Sequence, residues 1–353
     1  MKKRITALLL LLTLSVTSLF ACTSADKSES ASDKTAKTSK STSTKKQELT
    51  PVTLNEVAHS IFYAPQYVAI EEGYFAEEGL DLTLVTGFGA DKVLTALISG
   101  EADIGFMGAE ASIYAYQEGA TDPAVNFAQL TQRAGNFLVA RKEMKDFKWE
   151  DLKGKKVLGG RKGGMPEMVF EYILKKNGIA PQKDLTIDQS IDFGSTAAAF
   201  TGDDSAAYTV EFEPSATILE KEGAGYVVAS LGEASGYVPY TSYSAKESYM
   251  KENPEIIQKF TNALQKGMDY VQSHTPEEIA EVIAPQFKET DLDTITTIVK
   301  RYYDQDTWKE NLIFEKDSFE LLQDILEDAG ELNTRAEYEK LVETEYAQKA
   351  CES

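Results

Sequence analysis

The sequence predicts an α/β protein whose mixed sheets are flanked by helices, and three observations indicate this fold class. Short apolar runs typical of strands are followed by helical patterns with a period near 3.6. Glycine-rich turns separate strand from helix at Gly87–Gly89, at Gly108 and over residues 159–164. Alternation of strands and helices is typical of parallel or mixed sheets. Because ligands bind beyond the carboxyl ends of strands in such sheets, these turns are candidates for a binding site.

Residues 73–119 contain two strand–turn–helix units in succession. Leu80, Leu82 and Leu84 alternate with polar neighbours and predict a strand. The first unit continues with a helix from Ala90 to the terminating Gly100, and the second has a strand over 104–107, a turn at Gly108 and a helix over 109–118.

The order of residues in this stretch resembles a known family. GYFAEEGLDL, then GFGADKV, then SGEADIGFMG with a helix after it, is similar to the solute-binding lipoproteins of ABC importers. Within them it resembles the NMT1/SsuA-like group, which takes up thiamine-precursor pyrimidines, sulfonates, taurine and nitrate. The resemblance extends from about Val52 to about Pro254. It implies a type II periplasmic-binding fold, a monomer whose two lobes close over a small-molecule ligand, and an ABC permease as the membrane partner.

The N-terminus has the pattern of an export signal. Lys2, Lys3 and Arg4 precede an apolar run over 5–20, which ends in the lipobox-like sequence LFAC at Cys22. The run is short and interrupted by polar residues, which disfavours a membrane-spanning helix. We predict a signal peptide over 1–21, acylation of Cys22 and a flexible tether over 22–51 that is rich in Ser, Thr and Lys. The protein would then be held by a lipid anchor on the outer face of the cytoplasmic membrane.

Composition excludes several classes of function. The net charge is −21, from 57 acidic against 36 basic residues, which argues against binding nucleic acid or anionic lipid. Two cysteines, Cys22 and Cys351, provide no disulfide framework and no thiolate metal site. His59 and His274 are the only histidines and lie far apart in sequence. We therefore predict no metal, no cofactor and no catalytic residues.

The order of the predicted strands and helices indicates two lobes, and the chain crosses from one lobe to the other twice. Lobe one is predicted over 52–142 plus 237–353, with strands at 52–57, 124–130 and 137–140, and lobe two over 143–236, with strands at 156–158, 206–210 and 225–230. The crossings are placed near 141–150 and 236–244. The C-terminal part is predicted to be helical over 276–284, 292–303, 316–328 and 334–348 after a long helix from Pro254, with no site on it.

Residues that follow the predicted strands form the candidate site. His59 follows the first strand; pyrimidine-binding members of the family carry a histidine in this turn, although a helix-capping histidine fits the sequence equally well. The glycine-rich loop before Pro166 lacks the spacing of a Walker phosphate-binding motif. The sequence fits either a loop whose backbone amides bind a small polar group or a simple tight turn. Glu211 ends a strand, just before the Glu213-Pro214 pair that matches the family. The predicted ligand-binding residues are His59, Phe62, Tyr63, Gly87, Phe88, Gly89, Gly108, Glu110, Gly163, Gly164, Met165, Phe193, Gly194, Tyr208, Glu211 and Tyr240.

The residue types in this set favour one ligand class. They include two carboxylates, several aromatic rings and few nearby cations (Arg133, Arg161 and Lys162). Rings and carboxylates suit a pyrimidine-like heteroaromatic with amino donors. The alternatives are a binder of sulfonate, taurine or nitrate, a ligand sensor, and an enzyme. Eukaryotic pyrimidine synthases resemble this chain in the lobes but carry a CCCFC motif, which is absent here.

Overall fold

Ten strands form two five-stranded sheets in the part of the chain that the structure describes, residues 48–192 and 194–352 of a computed structural model. In chain order the strands are β1 (Thr50–Glu56), β2 (Leu80–Thr86), β3 (Ile104–Met107), β4 (Ala124–Thr131), β5 (Asn136–Ala140), β6 (Lys156–Leu158), β7 (Thr186–Asp188), β8 (Tyr208–Phe212), β9 (Tyr226–Ser230) and β10 (Thr241–Lys246). The signal peptide, Cys22 and nearly all of the predicted tether lie outside the described residues, as does Phe193.

Helices follow most of the strands and make up the C-terminal part. They are α1 (Ala64–Glu71), α2 (Tyr74–Glu77), α3 (Ala90–Ser99), α4 (Glu110–Gln117), α5 (Met165–Lys176), α6 (Thr196–Gly202), α7 (Ser215–Lys221), α8 (Leu231–Ser235), α9 (Glu247–Glu252), α10 (Pro254–Ser273), α11 (Pro276–Ile283), α12 (Leu292–Asp304), α13 (Lys316–Asp328), α14 (Tyr338–Leu341) and α15 (Glu345–Cys351). Short 3-10 turns lie at Ile61–Tyr63, Trp149–Leu152 and Ala284–Gln286. No helix of the described residues is long and apolar enough to cross a membrane.

The two sheets repeat one topology. The first has the order β2-β1-β3-β10-β4 and the second the order β7-β6-β8-β5-β9. In each sheet three neighbouring strands are parallel, and the fourth in the order runs antiparallel to both of its neighbours. The carboxyl ends of the parallel strands meet at one edge of a sheet, so the turns after them lie together.

The strand at Phe137–Ala140 belongs to a different sheet from the predicted one. We predicted it in lobe one, but β5 pairs with β8 and β9 and belongs to the second sheet. The chain therefore first passes between the sheets over residues 132–135, ahead of the charged segment that suggested a crossing. Apolar alternation identifies a strand, and only its pairing partners identify the sheet. The return passage, between α8 and β10, falls within the predicted range.

The C-terminal helices pack against both sheet units. Helix α10 lies across α1, and the fit needs a glycine: a Cβ on Gly267 would come within 2.3 Å of the Pro65 carbonyl oxygen. Helix α13 reaches the second unit, where Lys175 on α5 lies 3.1 Å from Asp328. The helix predicted over 334–348 is wrong, since the chain there forms two short helices, α14 and α15, separated by the extended Val342.

Candidate functional site

A cavity of about 250 Å³ lies between the two sheets. Its walls come from the turns after β1, β2 and β3 on one side and from the segments after β6, β7 and β8 on the other. This is the position in which the carboxyl ends of parallel strands place ligand-binding residues. The cavity is concave, partly aromatic and carries a few charged groups, as small-molecule sites do.

Glu110 provides a buried carboxylate from the first-sheet side. It is the first residue of α4 and is only 3 % exposed, and its Oε2 atom has no hydrogen-bond partner among the described residues. Burial raises the pKa of Glu110 to about 7, while the amides of Glu110 and Met165 and the charge of Arg161 partly oppose that rise. Removal from water disfavours the charged form, so this carboxylate gains from any cationic or donor group placed beside it.

Glu211 provides a second buried carboxylate from the opposite side. It lies near the end of β8 and is 3 % exposed. Thr196 donates to its Oε2 at 3.0 Å and Thr209 to its Oε1 at 2.5 Å. Burial raises the pKa of Glu211 to about 7 although these two hydroxyl groups favour the charged form. Neither Glu110 nor Glu211 forms a salt bridge within residues 48–192 and 194–352.

His59 lines the cavity, but both of its ring nitrogens already face acceptors. Nδ1 lies 2.8 Å from Oε1 of Glu56, and Nε2 lies 2.9 Å from the Gln286 carbonyl oxygen. Two acceptors satisfy a ring that carries both protons. The hydrogen bond to Glu56 raises the pKa of His59 in spite of partial burial, and the Gln286 carbonyl adds to the effect. His59 therefore presents its ring to the cavity, while its nitrogens hold the turn after β1 in place.

The carboxylate of Glu213 is also buried at the cavity wall, and it is neutralised by the protein itself. Nη1 of Arg301 on α12 lies 2.6 Å from Glu213, and Nη2 lies 2.6 Å from Glu220. Thr217 donates to Glu213 from both its amide and its hydroxyl. Ser60 donates to the Glu213 carbonyl at 3.1 Å, which links the turn after β1 to the end of β8. Glu213 is therefore a structural part of the wall, and Glu110 and Glu211 are the wall carboxylates that have no salt-bridge partner among the described residues.

Aromatic rings complete the cavity wall. Tyr63, Tyr240 and Phe212 lie at the wall with Phe88 at the opening. The Tyr240 hydroxyl is buried and has no hydrogen-bond partner among the described residues. Phe88 is 63 % exposed and has a positive φ of 58°, an uncommon backbone conformation for a residue with a side chain. These rings offer flat apolar surface and one free hydroxyl group to a ligand.

Most predicted site residues lie at the cavity. The structure brings together His59, Tyr63, Phe88, Gly89, Gly108, Glu110, Gly164, Met165, Gly194, Glu211 and Tyr240. Gly87 and Gly163 lie behind the wall: a Cβ on Gly87 would meet the Asn55 side chain, and the Gly163 carbonyl accepts from Tyr114. Arg161 is the one predicted cation at the wall, whereas Lys162 pairs with Glu331 and Arg133 contacts Tyr237.

Two aromatic residues of the predicted site, Phe62 and Tyr208, do not line the cavity. Phe62 is fully buried among Tyr63, Phe212, Tyr240 and Tyr302, so it supports the wall from behind. Tyr208 begins β8, at the end of the strand away from the cavity, and its hydroxyl faces Met144. The predicted site did not include the wall residues Ser60, Thr196 and Ser215. Each carries a hydroxyl group and lies one to four positions after the end of a strand or after a glycine turn. Hydroxyl residues are so common at such positions that the pattern does not identify them. No group of His, Cys, Asp and Glu in the described residues has the arrangement of a metal site.

Comparisons with known proteins identify the family and the fold. A family model described as NMT1/THI5 like matches residues 61–279. YtlA of Bacillus subtilis (strain 168), which is named as a binding protein, is 47% identical over 301 residues, covering 85% of this chain and 90% of that protein. A 4-amino-5-hydroxymethyl-2-methylpyrimidine phosphate synthase of Aspergillus parasiticus is 27% identical over 225 residues, 60% of this chain and 63% of the synthase.

A solved structure establishes the fold. The alkanesulfonate-binding protein SsuA from Xanthomonas axonopodis pv. citri superimposes with a TM-score of 0.67 at 16% identity, covering 84% of this chain and 99% of that one. At this identity the likeness concerns architecture and not ligand. The predicted periplasmic-binding fold is confirmed, and the comparisons together support a solute-binding protein.

Proposed function

The chain belongs to the NMT1/THI5-like family, and from this premise we propose that it captures a small, amino-bearing heteroaromatic molecule as the extracytoplasmic solute-binding lipoprotein of an ABC importer. The relative YtlA is named as a binding protein, which favours capture over catalysis. The cavity between the sheets is the binding site. Closure of the two sheet units over the ligand would change the surface that is presented to a membrane permease.

One observation carries the choice of ligand class: Glu110 and Glu211 are buried carboxylates on opposite walls of the same cavity, and neither has a salt-bridge partner in the described chain. Amino or protonated ring-nitrogen groups would donate to both. A hydrogen bond to a charged group contributes about 1.5–3 kcal/mol. A sulfonate or nitrate group would instead enter a cavity with two acidic walls, which disfavours the anion-binding alternative.

The aromatic part of the wall supports a flat ligand. Tyr63 and Tyr240 line the interior and Phe88 lies at its opening, so a single ring system can be in contact with apolar faces on more than one side. The unpartnered Tyr240 hydroxyl offers one more hydrogen bond. A volume of about 250 Å³ suits a ring with small substituents better than a large cofactor.

We propose that the ligand is released unchanged, although the family also contains pyrimidine phosphate synthases. The histidine at the cavity has both ring nitrogens bound to protein acceptors, so it has no free nitrogen for a substrate. Mass spectrometry of 4-amino-5-hydroxymethyl-2-methylpyrimidine before and after incubation tests this point. A covalent change in that molecule, or in His59, would establish an enzyme instead.

A ligand screen tests the proposed class. Thermal shift and calorimetry should compare 4-amino-5-hydroxymethyl-2-methylpyrimidine with taurine, alkanesulfonates and nitrate, because binding to the folded state raises its melting temperature. The same screen is run on Glu211→Gln, which keeps the shape and removes the charge. Glu252→Gln, on an exposed part of α9, is the matched control.

The expected result is that the pyrimidine stabilises the wild type and the control, and that Glu211→Gln weakens its binding about ten- to a hundred-fold. A sulfonate or nitrate that stabilises the protein equally well with Gln at position 211 would contradict the ligand class and leave the fold untouched.

A further inference from the structure

The carboxylate of Glu110 is held in place by a local backbone feature. Its side chain folds back over Gly108, so that a Cβ at position 108 would lie 2.0 Å from Oε2 and 2.7 Å from Oε1. Any larger residue at 108 would displace the carboxylate. The segment Gly108-Ala109-Glu110 therefore brings a negative charge to the start of α4, at the cavity wall, with one oxygen free of protein partners.

The opposite wall at this point has the features of an anion site. Residues 159–164 form a glycine-rich loop that leads into α5, and Gly164, at the N-cap of α5, lines the cavity with Met165. The N-terminus of an α-helix attracts anions through its free amides and its dipole. Arg161 adds a positive charge at the same wall, and its nearest acidic partner, Asp91, is 3.8 Å away on an exposed surface.

The Glu110 carboxylate lines the same cavity as Arg161, Gly164 and Met165. The amide of Met165 and the charge of Arg161 both stabilise the ionised form of Glu110. A phosphate or sulfonate group that used the α5 amides would have to sit beside a second, buried negative charge. Like charges repel strongly where water is excluded.

We propose that Glu110 is a specificity-determining residue, an internal anion that occupies the start of α5 and restricts the cavity to ligands without a phosphate or sulfonate group. This rests on the proposed function in so far as the same cavity takes the ligand. The role of Glu110 adds a further distinction to that function: the unphosphorylated pyrimidine is bound, and its phosphate ester is rejected.

The test uses two pairs of probes at pH 8 on the purified protein. The first pair is 4-amino-5-hydroxymethyl-2-methylpyrimidine and its phosphate ester, and the second is inorganic sulfate with chloride as the reference salt at equal ionic strength. Calorimetry is run on the wild type, on Glu110→Gln, which is isosteric and uncharged, and on Glu211→Gln. The last variant also removes a buried charge from the cavity but lies on the other wall, away from Gly108.

We expect the wild type to bind the ester at least tenfold more weakly than the free alcohol, and Glu110→Gln to bind sulfate and the ester at least tenfold more tightly than the wild type does. Glu211→Gln should show a smaller gain for both anions, because its carboxylate lies on the other wall, away from the start of α5. Equal affinity of the wild type for ester and alcohol, or no gain for either anion in Glu110→Gln, would overturn the proposal. If Glu110→Gln does not fold, Glu110→Ser takes its place, and the wild-type comparison of ester with alcohol stands independently.

The outcomes separate this inference from the proposed function. A protein that binds the pyrimidine but gains no anion binding in Glu110→Gln refutes the role of Glu110 alone. A protein that binds no pyrimidine, while Glu110→Gln gains sulfate binding, refutes the ligand class and supports the role of Glu110.

Discussion

His59 and Glu56 form an ion pair at the cavity, with 2.8 Å between Nδ1 and Oε1 of a carboxylate that has no exposed side-chain surface. Glu56 also accepts from Gln66, Tyr67 and Thr86, so its charge is fully engaged. Through Nε2 the same histidine is bonded to Gln286, far along the chain. The pair therefore fastens the turn after β1 to the C-terminal helical part.

The ion pair predicts a pH-dependent contribution to stability. The pKa of His59 is raised above its ordinary value of 6.5 by the hydrogen bond to Glu56. The stabilisation is therefore present below about pH 6.5 and is lost as the pH rises through the higher pKa of the folded state. We expect the difference in melting temperature between wild type and His59→Gln to be largest near pH 6 and to shrink towards pH 9. His274→Gln is the control, and a difference that does not change with pH would contradict the prediction.

Glu211 should reduce the stability of the ligand-free protein at high pH. Burial raises its pKa to about 7, above its usual value of 4.5, so the folded state holds the proton more tightly than the unfolded chain does. The folded state consequently loses stability as the pH rises from about 4.5 through 7. We expect Glu211→Gln to melt a few degrees above wild type at pH 8 and at nearly the same temperature at pH 5. Equal melting temperatures at pH 8 would show that the ionised carboxylate is not destabilising.

The substitution Gly108→Ala should weaken ligand binding while changing the stability of the fold only a little. The added methyl group would collide with the end of the Glu110 side chain, which is able to rotate away. We expect a small change in melting temperature and a loss of about tenfold in affinity for the pyrimidine, or about 1.4 kcal/mol. Gly202→Ala, where no atom lies within 4 Å of the added carbon, is the matched control. Full affinity in Gly108→Ala would mean that the position of Glu110 does not matter for this ligand.

Arg301→Met should destabilise the fold. It leaves the carboxylate of Glu213, which has no exposed side-chain surface, without its cation. Removing one partner of a buried pair costs about 3–5 kcal/mol, although Arg301 is itself 28% exposed, so we expect about 2–4 kcal/mol in urea unfolding. Arg335→Met breaks a surface network and should cost about 1 kcal/mol or less. Equal losses in the two variants would contradict a buried role for Arg301.

Membrane anchoring is tested on the full chain in its host. We expect the wild type in the membrane fraction and Cys22→Ser in the soluble fraction, because acylation at Cys22 would be the anchor. A protein of residues 48–353 should bind the same ligand with the same affinity, since the cavity is built without the N-terminal segment. Equal membrane association of wild type and Cys22→Ser would refute the lipid anchor.

Local sequence patterns were sufficient for the fold class and for much of the cavity wall. Glycine turns after apolar strands identified Gly108 and Glu110, and the end of a strand identified Glu211. These predictions succeed because parallel strands in one sheet direct their carboxyl ends to a common edge, so position along the chain already implies position in space. The family resemblance rests on the same short-range order of residues.

Only the tertiary structure decided which sheet a strand joins and which side chains reach the cavity. Phe137–Ala140 has the same apolar pattern in either sheet, and pairing with β8 placed it in the second. Phe62 and Tyr63 are neighbours in one short turn, yet packing buries the first behind the wall and leaves the second at the cavity. His59 lies at the predicted position, but its two ring nitrogens are hydrogen-bonded to Glu56 and to Gln286, the latter 227 residues away. Such choices depend on long-range contacts, and a local pattern contains no information on them.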